Sequence, residues 1–400
     1  MKSLLMVAVC TLIVLFLFLY IGSMQANQIQ LANLPDAMPV YARISNLNGT
    51  MNSGGILIKE NVINTLTDSP HVTELAYTVP LGVALGRITE QGMQDMKTGD
   101  LTFPLAAGAN GLIACPGLLP ENITFIDGAG PEFLEGEEAL CIIRNGDMER
   151  NNLELGDRVW MTLFYATYPN DRYDLTYKWL GMFEVKIVGS RGDVGDSADG
   201  SIPSQIIFPA KWIQRLHKDA GIMFFADSAR FRVAHPLELN AFKAQMKELQ
   251  LMPVISQAQH SHRGNALTVN DEVFVRAASR LMDNITLMRV FTPFVCVIVG
   301  LVGFVVSYLL MNSRKPEIAI MRSMGMSRGK CFAMLFLENF ILELVGSSLG
   351  ILAATLFAQM SAALAVTVVA LFFACYMAGT AAALVIIGRF SVMAVLAALE

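Results

Sequence analysis

Few residues in this 400-residue sequence have strong chemical potential, and the most conspicuous sit where charge is costly. Glu338 and Glu343 interrupt an otherwise apolar stretch from Cys331 to Phe357. An ionised side chain in hydrocarbon costs at least about 2.5–3.5 kcal/mol, so such groups face protein rather than lipid. At roughly 1.5 Å per residue, Glu338 falls about one-third of the way along this stretch and Glu343 near its middle. Their spacing places them roughly 140° apart around a helix, too far to share one narrow face. No Lys or Arg lies deep in any apolar stretch. Glu343 is therefore expected to be protonated or paired with polar groups such as Thr380 or Asn339. Its favoured role is packing, with a conformational switch as the alternative. Close by, Gly346, Ser347 and Gly350 have the small-residue spacing that lets helices approach closely in lipid, within one chain or between two.

Other groups with chemical potential are weaker signals. His260 and His262 could be half a metal site, but their polar turn favours a solvated pair. Asp193, Asp196 and Asp199 lack the spacing of a calcium-binding loop and read better as a hairpin loop. Cys10, Cys296, Cys331 and Cys375 lie in or beside apolar runs and read as small buried hydrophobes. Cys115 and Cys141 lie in the polar region and could form a disulfide if it faces an oxidising compartment. Gly325 to Lys330 superficially suggests a phosphate loop, yet Cys331 stands where Ser or Thr would bind magnesium and no strand precedes it. No HExxH or GxSxG occurs. The expectation is a chain with no catalytic residue, no metal and no cofactor of its own.

The elements that position these groups follow from composition. At 54% hydrophobic and 16% charged, the chain is more apolar and less charged than soluble proteins. Its net charge of −5 argues against a nucleic-acid partner. About 20 apolar residues cross a bilayer as a helix, and four segments meet that demand: residues 1–23, 288–312, 329–358 and 365–389. The first reads better as a retained anchor than as a signal peptide, because its apolar run is long and the residues before Ala26 make a poor cleavage site. Lys2, Arg389 and the basic loop of Arg314, Lys315, Arg322, Arg328 and Lys330 place both termini, the tail at 390–400 and that loop on the cytoplasmic side. Residues 24–287 then lie outside as an α+β domain. The fold class is an integral membrane protein with one span, this large domain, and three further spans.

Within that domain, Val40–Ile44, Arg158–Phe164 and Phe183–Gly189 alternate like strands. Gly54-Gly55 ends a turn before a helical stretch near Glu60–Leu66. Leu239, Phe242, Met246 and Leu249 mark one face of a helix over Pro236–Leu249. Two subdomains are expected. From Asn270, Phe274, Ala278, Leu281, Ile285 and Met288 recur at helical spacing, predicting a stalk helix that continues into span two.

The basic loop at 313–328 predicts a short helix. Pro316 suits its first turn, Glu317 complements the positive end of the helix dipole, and Gly325 suits a left-handed stop. Ser327 can cap the next helix. Ile318, Met321 and Gly325 fall on one stripe. Physics alone reads this as a turn at the membrane interface.

The run Arg314-x-x-Glu317-Ile318-Ala319-Ile320-Met321-Arg322-Ser323-Met324-Gly325-Met326-Ser327-Arg328, followed by Phe336-Leu337-Glu338 and Gly346-x-x-x-Gly350, closely resembles the FtsX/MacB/LolC family of ABC-transporter permeases. Leu155–Val159 and Phe183–Gly189 also look like the MacB-type periplasmic domain, and Glu338 matches a position where the family often has Glu. The family's amphipathic helix before span one has no counterpart before Lys2: it is absent, or the chain begins further upstream. The resemblance implies a permease of the cytoplasmic (inner) membrane, paired with a second copy or a paralogue, in contact with membrane lipid and open to an extracytoplasmic adaptor. ATP would be bound by a separate ABC ATPase. The loop would be the coupling helix, with Arg314, Glu317, Ile318, Met321, Arg322 and Gly325 as its site residues. The implied activity is export or extraction of peptides, lipids, lipoproteins or toxic compounds. The alternatives are an FtsX-like regulator of a cell-wall hydrolase and a membrane sensor with no ATPase partner.

Overall fold

The computed structural model describes residues 2–49, 56–95, 105–115, 118–167, 176–192, 205–255, 264–357 and 362–387. Gly54-Gly55, Asp193, Asp196, Asp199, His260, His262, Arg389 and the tail at 390–400 lie outside the described residues. The chain divides into two compact units, one from Met1–Leu34 with Val275–Glu400, the other from Pro35–Phe274.

The first unit is helical because its sequence leaves no alternative. Long apolar segments bury their own backbone polar groups only as helices when water is absent. Helix α1 (Lys2–Ala37) opens the chain and β1 (Tyr41–Ser45) follows it in the second unit. The second unit continues with β2 (Ile58–Lys59), α2 (Glu60–Thr67), β3 (Val72–Leu85), α3 (Glu90–Asp95), β4 (Leu105–Ala109), β5 (Ile123–Phe125), β6 (Leu140–Arg144) and α4 (Asn145–Arg150). It then forms β7 (Arg158–Thr167), β8 (Thr176–Arg191), β9 (Ile206–Pro209), α5 (Ala210–Asp219), β10 (Phe225–Ala226), β11 (Ser228–Val233), α6 (Leu239–Glu248), β12 (Met252–Pro253) and β13 (Ala266–Val269). The first unit resumes through α7 (Glu272–Asn312), α8 (Lys315–Ser323), α9 (Arg328–Phe357) and α10 (Ala362–Ile387). Helices α1, α7, α9 and α10 are each long and apolar enough to cross a membrane. The segments expected as spans at 1–23 and 288–312 are thus parts of longer helices, and α7 carries the stalk and the apolar run without a break.

Strand β3 organises the second unit. Its first half pairs with β11, its middle with β4 and its end with β7. On one side the order runs β3-β11-β1-β13-β12. On the other, β3 pairs β4, β4 pairs β9, β9 pairs β6, β6 pairs β8, β8 pairs β7 and β7 returns to β3. Six strands close on themselves and leave no edge among them. Helix α5 packs on these strands through Trp212, whose ring meets Phe183 of β8 and Phe208 of β9 at 5.5 and 5.7 Å. On the open side, Phe242 of α6 packs edge-on against Phe231 of β11 at 6.0 Å, and the expected apolar stripe of Leu239 and Met246 is buried with it.

The disulfide weighed between Cys115 and Cys141 is not made. Both are free thiols buried among apolar side chains, Cys115 beneath Leu112 and Leu118 and Cys141 within β6. Burial pushes the Cys115 thiol up to about 12 and raises that of Cys141 further.

Asp227 enters β11 with its carboxylate accepting a 2.6 Å hydrogen bond from Thr78 and its backbone N–H donating to the Thr78 carbonyl. Burial raises its carboxyl from 3.8 to about 6, the Thr78 bond opposing that rise. A raised acid binds its proton in the folded state while the unfolded chain has already released it, so stability falls as pH rises through that interval. Asp227→Asn should remove this dependence. The parent should lose thermal stability relative to Asp227→Asn between pH 4 and 6, with the difference constant above that range, as read by unfolding midpoints across pH.

Candidate functional site

The loop between α7 and α9 folds as anticipated from its local chemistry. Pro316 sits in the first turn of α8, Glu317 is beside it, and Arg322 is in the last turn. Gly325 has φ +93°, and its N–H bonds the Arg322 carbonyl while Met326 N–H bonds that of Met321. These two bonds form the Schellman arrangement that ends helices at a left-handed glycine. Ser327 then caps α9: its hydroxyl accepts the Lys330 N–H at 3.5 Å and its carbonyl the Cys331 N–H at 3.2 Å.

A nine-residue helix is unstable alone, and two anchors hold this one. The Arg314 guanidinium, at the N-cap of α8, meets both oxygens of Glu338 on α9 at 2.5 and 2.6 Å. Glu338 therefore has a counter-charge that the sequence placed outside the apolar stretch. The second anchor is Met321, packed with Tyr308, Phe332 and Phe336 against the buried cluster of Met311, Cys331, Leu335, Leu384 and Ile387. Ala319 is fully buried on the same side. Met321 thus faces the bundle. The exposed apolar residues of the segment are Ile320 at 51%, Met324 at 74% and, beyond the helix end, Met326 at 37%, with Glu317 exposed one turn before Ile320. Ile318 lies on the helix backbone, its side chain outside the described residues, and Arg322 is half-buried.

Above this loop the four long helices share one buried cluster that includes Cys10, Val299, Ala354, Phe372 and Tyr376. Glu343 is buried beside it and accepts a 3.0 Å hydrogen bond from Thr380 of α10. The Thr380 hydroxyl also meets Ser307 of α7 at 2.9 Å. Three helices therefore join through one polar node. Asn339, the other partner considered, instead donates to the Leu335 carbonyl at 3.0 Å on its own helix. The second Glu343 oxygen has no hydrogen-bond partner among the described residues, and no basic side chain contacts the group there.

The small-residue seam resolves within the chain. A Cβ on Gly346 would stand 2.5 Å from Cys10 Cβ, and one on Gly350 would stand 2.8 Å from Val14 Cβ. Thr11 of α1 donates to the Gly346 carbonyl at 3.1 Å. The sequence reading missed a second seam. Gly300 and Gly303 of α7 face α10, where a Cβ on Gly379 would stand 2.0 Å from the Gly300 carbonyl oxygen. A lone Gly379 has no spacing motif of its own, so its signal appears only once its partner helix is known. Tyr20 of α1 donates to the Met288 carbonyl, which also accepts from Thr292 at 2.9 Å, one turn before Pro293 interrupts the ladder of α7.

Arg314→Ala and Glu338→Ala should each lower the thermal midpoint of the purified chain. The double variant should lose less than the sum, with a coupling of about 1 kcal/mol as a partly exposed pair allows. Gly379→Val should abolish recovery of folded protein, because its side chain meets backbone on α7 rather than a movable side-chain end. Size-exclusion profiles after extraction would check it.

Residues 289–400 match the family model "FtsX-like permease C-terminal". A search of curated proteins returns no match. Among solved structures, the extracellular domain of the noncanonic ABC-type transporter YknZ from Gram-positive bacteria aligns at 11% identity and a TM-score of 0.28, covering 57% of this chain and 98% of that one. A likeness of that strength carries no weight for fold or function. The chain is a multi-pass membrane protein carrying an FtsX-like permease domain over residues 289–400.

Proposed function

We propose that this chain is the permease subunit of an ABC transporter and that α8 is where a separate ATPase subunit docks. The carrying observation is the contrast between the two sides of α8. One side is fixed to the bundle by Arg314, Ala319 and Met321; the other offers Ile320 and Met324 to whatever lies beyond. Exposed apolar groups on a rigidly held helix suit a groove in a partner protein. With Glu317 on the same side, the docking face is Glu317, Ile320 and Met324, while Arg314 and Met321 position it.

No GxxxxGK(S/T) phosphate loop occurs in the sequence; in this reading ATP hydrolysis falls to the partner and the chain acts non-catalytically. Closure of the ATPases would push α8. The push would pass to α9 through the Arg314–Glu338 pair and to α7 through the short link of residues 313 and 314. The second unit would move in response, exporting or extracting a substrate on the far side of the membrane. Two copies, or one copy with a paralogue, would make the working complex, with both termini and α8 on the cytoplasmic side of the inner membrane.

Co-purification with the cognate ABC ATPase tests this reading. Met324→Asp and Ile320→Asp should reduce ATPase recovery by about tenfold or more, as expected for central apolar anchors, while the chain inserts and folds normally. Met321→Asp should instead lower the stability of the chain itself. Undiminished recovery with both outward variants would overturn the docking assignment.

A further inference from the structure

The second unit carries a concave groove of about 640 Å³ whose floor is formed by β1, β11 and β13. Its chemistry is set by strand register. Tyr41 lies opposite Arg232 and Arg43 opposite Arg230, and Arg43 also faces Thr268 on β13. Directly opposed residues project from the same face, and like charges so placed repel. The two arginines of β11 are treated differently. Arg232 is ion-paired with Glu74 at 3.3 Å and Asp36 at 3.7 Å. Arg230 and Arg43 have no carboxylate within ion-pair distance among the described residues. Glu74, the acid that reaches the groove, is already engaged by Arg232. Beside the two unpaired guanidinium groups stand large side chains left open, Tyr41 at 50% exposure and Ile113 at 59%.

We infer that this groove is a binding site for a small anionic amphiphile, its carboxylate or phosphate head held between Arg43 and Arg230 and its apolar portion lying along Tyr41 and Ile113. Two planar guanidinium groups side by side offer the forked donor geometry that carboxylates and phosphates accept. An anion between them also removes the repulsion that the register imposes. The volume falls within the range of small-ligand sites. The site lies wholly within the second unit, and its ligand is independent of whether an ATPase binds α8.

The test uses the full chain in nanodiscs of zwitterionic phosphatidylcholine, with labelled octyl phosphate as probe. Binding is taken as the saturable difference from empty discs of the same lipid. The expected result is a loss of affinity of about tenfold or more in the double variant. Octanoate should compete, separating a carboxylate source from a phosphate one by which competes at lower concentration, while inorganic phosphate competes only weakly and octyl glucoside not at all. Without probe, Arg43→Gln should unfold at the same temperature as the parent or higher, since it relieves an unpaired contact. Equal binding by parent and double variant, competition by octyl glucoside, or displacement by an acidic hexapeptide at lower concentrations than octanoate would overturn the assignment. A lower unfolding midpoint for Arg43→Gln without probe would also overturn it, by showing that Arg43 is held by the protein rather than awaiting a ligand.

Discussion

The ion pair between Arg314 and Glu338 governs what the loop between α7 and α9 can be. A helix of nine residues has too few internal hydrogen bonds to offset its nucleation cost, so its existence and direction come from outside it. Pro316 and Gly325 fix where it starts and stops, and the ion pair and Met321 fix which way it faces. Glu338 benefits equally. On a helix long enough to cross a membrane, a carboxylate is tolerated where a counter-charge reaches it, and Arg314 reaches from the preceding loop. One contact thus solves two problems, a marginal helix and a costly acid.

Deeper in the bundle the constraint changes from charge to distance. Apolar side chains gain little by leaving lipid for other apolar side chains, so helices associate through close backbone approach and hydrogen bonds. The seam of Gly346 and Gly350 brings α9 onto α1, and that of Gly300, Gly303 and Gly379 brings α7 onto α10. Glu343, Thr380 and Ser307 then join α9, α10 and α7 through polar contacts that lipid cannot replace. The glycines set how near the helices come, and the hydroxyls and carboxyl set which faces meet.

Much of this was legible from residues whose effect is local. Pro316, Gly325 and Ser327 act on their own backbone, and the structure places a helix, a left-handed stop and a cap where they imply them. The strand at Tyr41, the stripe of Leu239, Phe242 and Met246, and the unbroken helix through Phe274 and Ile285 follow from periodicity in the same way. What escaped reading depends on partners distant in sequence. Met321 and Ile320 are adjacent and similarly apolar, so only the position of Leu384 and Cys331 decides which turns inward. Register hides the closed ring of strands: Phe183–Gly189 reads as a strand, but nothing in it names β6, β5 and β7 as its neighbours. Cys115 and Cys141 looked alike by placement in the sequence, and both are buried free thiols.

The strands that open and close the second unit meet inside it. Strand β1 begins four residues after α1 ends, and β13 ends three residues before α7 begins. These two strands are hydrogen-bonded neighbours, with Ala42 opposite Val269 and Ser45 opposite Ala266, and the Asn270 N–H closes the ladder on the Tyr41 carbonyl at 2.9 Å. This antiparallel ladder resists sliding along the strands, because every hydrogen bond would have to break in register. The β1–β13 pair is bonded in turn to β11, and β11 to β3. Because β3 also belongs to the closed ring, the open side of the sheet and the ring form one continuous hydrogen-bonded body, in which no inner strand can shift without breaking the ladders on both of its sides.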